Sequence, residues 1–164
     1  MFSSHTLLVN ALAALIPLLV GFLWYNPKTF GNAWIKAAKV NPEEAKNANM
    51  VLVFGLTYLF SFFITGALIS MVIHQVSLFS LVADQLPDSP DHQLINSVYE
   101  KFKGSFRTFK HGALHGSLGG IMFALPIIGI NALFEGKGWK YILINAGYWV
   151  VTLALMGGVI CQFA

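Results

Sequence analysis

Charged residues are scarce in this sequence. Asp, Glu, Lys and Arg make up 10% of its 164 residues, whereas apolar residues make up 56%. A soluble domain usually carries about 25% charged residues, so the deficit predicts a membrane protein. The net charge of +3 is not gathered into a basic stripe, so we expect no nucleic-acid partner.

Cysteine is nearly absent as well. Cys161 is the only one, and it lies in an apolar run. An intrachain disulfide and a zinc site of the CxxC type are therefore excluded. The residues before the first apolar run include no lysine or arginine. Since a secretory signal carries positive charge there, we expect this run to be retained as a membrane span.

Four apolar runs are long enough to cross a membrane, at about 6–24, 50–74, 112–134 and 141–163. At about 1.5 Å per residue, each matches a hydrocarbon core of about 30 Å. The predicted fold class is all-α: an integral membrane bundle of four transmembrane helices, forming a single domain over residues 1–164. With no breaker before Pro87, the second helix is expected to continue past His74.

Amphipathic segments connect these runs. We predict that residues 28–40 and 90–110 are interfacial helices, the latter on the spacing of its apolar side chains; the alternative is a soluble helix packed on its own protein. Asn41 and Pro42 suit a helix cap and first position, so another helix is expected to begin near Pro42. The apolar stripe of 90–110 consists of Ile95, Val98, Phe102, Phe106 and Phe109.

Aromatic residues stand at the ends of the runs. Such rings favour the depth of the lipid headgroups, which predicts interface anchors. A second interpretation is that the rings of loop 1, by which we mean residues 24–34, cover a cavity mouth. The basic residues of the loops and of segment 90–110 favour opposite orientations in the membrane, so the orientation stays open. The predicted anchors are Trp24, Tyr25, Phe30, Trp34 and Trp139.

Three glycines repeat every four residues, Gly112, Gly116 and Gly120. They form two overlapping GxxxG patterns, which let a second helix approach backbone to backbone. This pattern predicts helix association, either in a homo-oligomer or with another membrane protein.

Polar side chains at the runs form a candidate polar site. His111 and His115 share a helix face and could ligate a metal or haem iron, with His5 and His74 at other span edges. Because no carboxylate or cysteine nearby completes a ligand set, we predict polar packing or a proton relay, with no metal and no cofactor. The polar side chains of the other runs could line a polar path through the membrane, although interhelical hydrogen bonds are the commoner use of such side chains. The candidates are His111, His115, Asn131, Asn145 and Tyr148.

The predicted function is that of a non-enzymatic membrane protein acting through helix association. No charged residue lies within the runs, so a pump built on carboxylates is not expected. Ser117 and His115 are two apart, on nearly opposite helix faces, and no catalytic residue is predicted. The alternative is a small transporter or channel for a neutral or weakly polar solute. A third interpretation is lipid handling or metal binding by the histidines.

Two aromatic sequences around the first loop carry a family resemblance, Leu23-Trp24-Tyr25-Asn26-Pro27 and Phe30-Gly31-Asn32-Ala33-Trp34. Together with Asn131-Ala132-Leu133-Phe134-Glu135 and Leu143-Ile144-Asn145-Ala146-Gly147-Tyr148, they resemble the bacterial family called domain of unknown function 1761. The resemblance implies a small four-span protein of the bacterial cytoplasmic (inner) membrane. It implies no activity and no functional residue.

Overall fold

The computed structural model describes residues 3–41 and 48–164. Within these ranges the chain forms helices and turns and no strand. The helix start predicted near Pro42 lies outside the described residues. A 3₁₀ segment (His74–Val82) and a π-helical turn (Gly120–Ala124) accompany the α-helices. These are α1 (Ser4–Ala13), α2 (Ile16–Trp24), α3 (Gly31–Ala38), α4 (Met50–Val72), α5 (Pro90–Phe102), α6 (Phe109–Gly119), α7 (Leu125–Phe134) and α8 (Trp139–Phe163).

Four helical stretches in the described part of the chain are long and apolar enough to cross a membrane. The predicted all-α fold with four such helices is therefore confirmed, and these helices indicate a multi-pass membrane protein. We name them span 1 (Ser4–Trp24), span 2 (Met50–Val72), span 3 (Phe109–Phe134) and span 4 (Trp139–Phe163).

Prolines lie at the breaks in spans 1 and 3. In span 1, α1 ends at Ala13 and α2 begins at Ile16, with Pro17 in its first turn. In span 3, the π-helical turn comes just before Pro126. A proline nitrogen cannot donate to the preceding turn, and its ring crowds the carbonyl there, so a local change of winding is expected at both places.

Span 4 is the central helix of the bundle. Within its most apolar window, 44% of the residues are buried, against 28%, 22% and 17% for spans 1, 2 and 3. The core between spans 2 and 4 is built around Ile69, Val72, Met156 and Ile160, all at most 1% exposed. The other spans therefore present most of their apolar surface outwards, where lipid would lie.

Two expectations about the loops differ from the structure. α4 ends at Val72, and the chain continues as the 3₁₀ segment, so the second helix does not continue past His74. Residues 90–110 do not form one helix, because α5 ends at Phe102. The Gln75 amide, which donates to the carbonyls of Phe102 and Ser105 (both 2.8 Å), holds this end and separates α5 from span 3.

Candidate functional site

The three glycines of the tandem GxxxG pattern pack against span 4. A Cβ at Gly112 would lie 2.1 Å from the Gly157 carbonyl oxygen, and one at Gly116 would lie 2.0 Å from that of Leu153. At Gly120 it would lie 2.6 Å from the Val150 Cα. The close approach expected from the pattern is therefore made within the chain. Because span 4 occupies this groove, the pattern no longer argues for a second copy, and it fixes the rotation of span 3.

Three of the predicted interface anchors form hydrogen bonds with span 4. The Trp24 indole donates to the Ile144 carbonyl (3.0 Å). The Tyr25 hydroxyl (2.9 Å) and the Trp34 indole (3.1 Å) both donate to Asn145 Oδ1. These hydrogen bonds attach loop 1 to the start of span 4. We call this side of the bundle the aromatic end.

Burial also changes the ionisation of this cluster. It raises the pKa of Tyr25 above its ordinary value of 10.0, and the nearby Tyr148 and Tyr141 add to the rise. Tyr25 therefore stays a neutral hydrogen-bond donor at physiological pH. The two remaining predicted anchors, Phe30 and Trp139, are 43% and 72% exposed. Their place at the headgroup level stays a prediction.

A cavity of about 230 Å³ opens at the aromatic end. Asn131 is exposed at this cavity, whereas Asn145 is half-buried and donates from Nδ2 to the Tyr141 carbonyl (2.8 Å). These two asparagines belong to the polar site predicted from the sequence. Glu135 and Tyr141 do not, because Glu135 lies just after the third apolar run and Tyr141 is the first residue of the fourth. The lining residues are Ile128, Asn131, Glu135, Tyr141, Asn145 and Trp149.

A polar stripe extends from this cavity into the bundle along span 4. Asn145, Tyr148 and Thr152 are spaced three and four residues apart and so share a helix face. The buried Tyr148 hydroxyl donates to the Pro17 carbonyl of span 1 (2.9 Å). Deeper in the bundle, Thr152 Oγ1 and, on span 1, Asn10 Oδ1 are buried and make no hydrogen bond of normal length and angle among the described residues.

The two histidines of the candidate polar site lie at the opposite side, which we call the histidine end. His111 and His115, on the first turns of span 3, are joined there by His74, the first residue of the 3₁₀ segment. The ring nitrogens of the three side chains lie within 4.8 Å of one another. The predicted polar site therefore divides into two sites, and no spacing in the sequence indicates that His74 lies beside the other two histidines.

A family model matches residues 8–161, nearly the whole chain. A search of curated proteins and of solved structures finds no match. The matched range includes the glycine face, the cavity, the polar stripe and all three clustered histidines. The chain thus belongs to the family described as protein of unknown function (DUF1761).

Proposed function

We propose that the protein is a non-enzymatic carrier or channel for small uncharged solutes that form hydrogen bonds. The observation that carries this proposal is two buried atoms without a hydrogen-bond partner among the described residues, Thr152 Oγ1 at the inner end of the polar stripe and Asn10 Oδ1 on span 1. A buried polar group without a partner costs about 1–3 kcal/mol. Polar groups kept inside a membrane domain at such a cost often line substrate routes.

The stripe supports entry from the aromatic end. It begins at Asn145, which also lines the cavity, and it ends near the middle of span 4 at Thr152. Beyond Thr152, the fully buried Met156 and Ile160 pack against Ile69 of span 2. The cavity at the aromatic end therefore reaches the stripe at Asn145, whereas Tyr148 and Thr152 beyond it are buried.

The proposed solute is uncharged because the spans offer no compensation for a charge. A charged group near the bilayer centre costs at least about 2.5 kcal/mol. Lys110 and Lys140, at the ends of spans 3 and 4, are the charged residues of the four spans. Hydroxyl and amide groups can bind a solute that both donates and accepts hydrogen bonds.

The non-enzymatic part of the proposal is supported by the bonding of Ser117. Its hydroxyl donates to the Ala113 carbonyl (2.8 Å), as serines in membrane helices commonly do, and not to the neighbouring His115. A serine nucleophile requires a base within hydrogen-bonding reach. The location in the bacterial cytoplasmic membrane, which is part of this proposal, is supported by the resemblance of the chain to a bacterial family.

Reconstitution into liposomes tests this function. Vesicles with the purified protein are mixed with hyperosmotic glycerol or urea, and reswelling is followed by light scattering. We expect faster reswelling than in protein-free vesicles for both probes, and no reswelling with sucrose, which is larger. Reswelling at the protein-free rate with both glycerol and urea would overturn the proposal.

Association with a second copy or another membrane protein stays a second proposal. Its support is now the outward surface of span 2, where nothing lies within 4 Å of a Cβ placed on Gly55 or Gly66. Leu replacements of Gly112 or Gly116 no longer test it, because they would disrupt the packing on span 4. The mass of the native protein in detergent is the appropriate measurement, and a monomeric mass at every protein concentration would contradict association.

A further inference from the structure

Three histidines converge at the histidine end from two different spans. His74 follows the end of span 2, and its position depends on the abrupt stop of α4 at Val72. His111 and His115 are one helical turn apart on span 3. Packing of Gly112 and Gly116 on span 4 sets the rotation of span 3, and this rotation directs the adjacent histidine face towards His74.

The distances suit a common ligand. His74 Nε2 and His111 Nε2 are 3.1 Å apart, and the ligand nitrogens of all three histidines lie within 4.8 Å of one another. In a tetrahedral zinc site, a Zn–N distance of about 2.0–2.1 Å places the nitrogens about 3.3 Å apart. The His74–His111 pair is already close to that spacing, and a ring nitrogen of His115 lies within 4.8 Å of both.

The ring nitrogens of His74, His111 and His115 take little part in other hydrogen bonds. Among the described residues, the His74–His111 contact is the only hydrogen bond made by these three imidazoles. The ring of Phe106 stacks on His111, with centroids 5.2 Å apart and an angle of 28° between the planes. Phe106 reaches this position with φ of 61°, a left-handed conformation that costs a bulky residue about 1–3 kcal/mol and is concentrated at functional sites.

We propose that His74, His111 and His115 bind a divalent transition-metal cation of the zinc class. Imidazole is a preferred ligand of Zn²⁺ and of its neighbours in the first transition row. The three described ligands leave a fourth position free, and the His74 side chain is exposed. Three protein ligands with an open position are typical of sites that exchange a ligand, whereas structural zinc sites are closed by four. The ligand set contains no carboxylate or thiolate, so the cation would keep its full charge.

The chain supplies its own control residues. The protein contains five histidines, of which His5 and His92 lie outside the cluster. His5 is exposed at the start of span 1, and His92 contacts Asn96 on α5. Alanine variants of these two keep every residue of the proposed site.

A competition titration with a chromogenic chelator tests the proposal. The protein is purified with a tag free of histidine, stripped of metal and titrated with Zn²⁺. We expect one Zn²⁺ per chain, at least a tenfold loss of affinity in each of H74A, H111A and H115A, and unchanged affinity in H5A and H92A. Circular dichroism and the elution volume in detergent check that every variant is folded.

A second readout reports the ligand geometry. Co²⁺ in the native protein should give the intense visible absorption of a tetrahedral site, and this absorption should disappear in the triple variant of the cluster. The proposal is overturned if the native protein binds no Zn²⁺, if the folded triple variant binds it equally well, or if the H5A and H92A variants lose as much affinity as the cluster variants.

Discussion

Gly112 and Gly157 face each other so closely that each occupies the space of the other's missing side chain. A Cβ on Gly112 would lie 2.1 Å from the Gly157 carbonyl oxygen, and a Cβ on Gly157 would lie 2.4 Å from that of Gly112. Spans 3 and 4 therefore touch backbone to backbone. This contact orients span 3, which carries two of the clustered histidines, and it holds span 4 at the centre of the bundle.

The first prediction concerns this contact. Gly112→Ala should lower the free energy of unfolding by about 1–3 kcal/mol, because an added methyl group overlaps backbone atoms that cannot move freely. The measurement is thermal unfolding in detergent. Gly129→Ala is the matched control, since nothing lies within 4 Å of a Cβ there. Equal stability of the two variants would show that spans 3 and 4 do not meet at these glycines.

Asn145 is predicted to stabilise the aromatic end. Asn145→Leu leaves the Tyr25 hydroxyl and the Trp34 indole without their acceptor, at a cost of about 1–3 kcal/mol in the free energy of unfolding. Asn131→Leu changes the same side-chain type in the wall of the same cavity, but at an exposed position, and should change stability little. If chemical denaturation shows no difference between these variants, the hydrogen bonds are not formed.

Tyr25 should make stability depend on pH in the alkaline range. Burial raises its pKa in the folded state, whereas the unfolded chain has the ordinary value of about 10. Above about pH 10 the phenol therefore ionises first in the unfolded chain, so the contribution of Tyr25 is present below that pH and is lost as pH rises. The unfolding temperature should fall between pH 9 and pH 11, and less steeply in Tyr25→Phe. An identical slope in Tyr25→Phe and the native protein would contradict the prediction.

Thr152→Val should stabilise the protein. The change is nearly isosteric and removes a buried oxygen atom that lacks a partner, so the free energy of unfolding should rise by about 1 kcal/mol. In the control Thr57→Val, the lost hydroxyl donates to the Val53 carbonyl of its own helix (2.7 Å), and no gain is expected. A loss of stability in Thr152→Val would mean that this hydroxyl is hydrogen-bonded in the folded protein.

The number of spans could be predicted from the sequence because hydrophobic length alone decides it. The helix that packs on the tandem glycines could not be predicted from the sequence. A GxxxG pattern indicates that another helix approaches closely, but it does not identify that helix. In the structure, Gly112 and Gly116 contact span 4 of the same chain. The same limit applies to the aromatic anchors. Their preference for the headgroup region can be predicted from residue type, but the hydrogen bonds of Trp24 and Tyr25 to span 4 cannot, because they depend on how the helices pack.

The histidine end shows a different limit of sequence reasoning. His111 and His115 are related by helix periodicity, so the sequence predicts their common face. His74 lies 37 positions from His111, and only the stop of α4 at Val72 and the turn into the 3₁₀ segment bring it near. The helix predicted over 90–110 ends at Phe102 for a related reason, and its location in the membrane interface stays a prediction. The Gln75 side chain binds the carbonyls at the end of α5, and such a long-range contact leaves no periodic signal.

The most direct test of the proposed function is the glycerol permeability of vesicles that contain the Asn10→Leu/Thr152→Val double variant. If these two polar atoms line the route, permeability should fall about tenfold, which corresponds to the loss of about 1.4 kcal/mol of interaction with the solute. Vesicles with Thr57→Val should keep the native rate. A folded double variant that conducts glycerol as fast as the native protein would contradict the account.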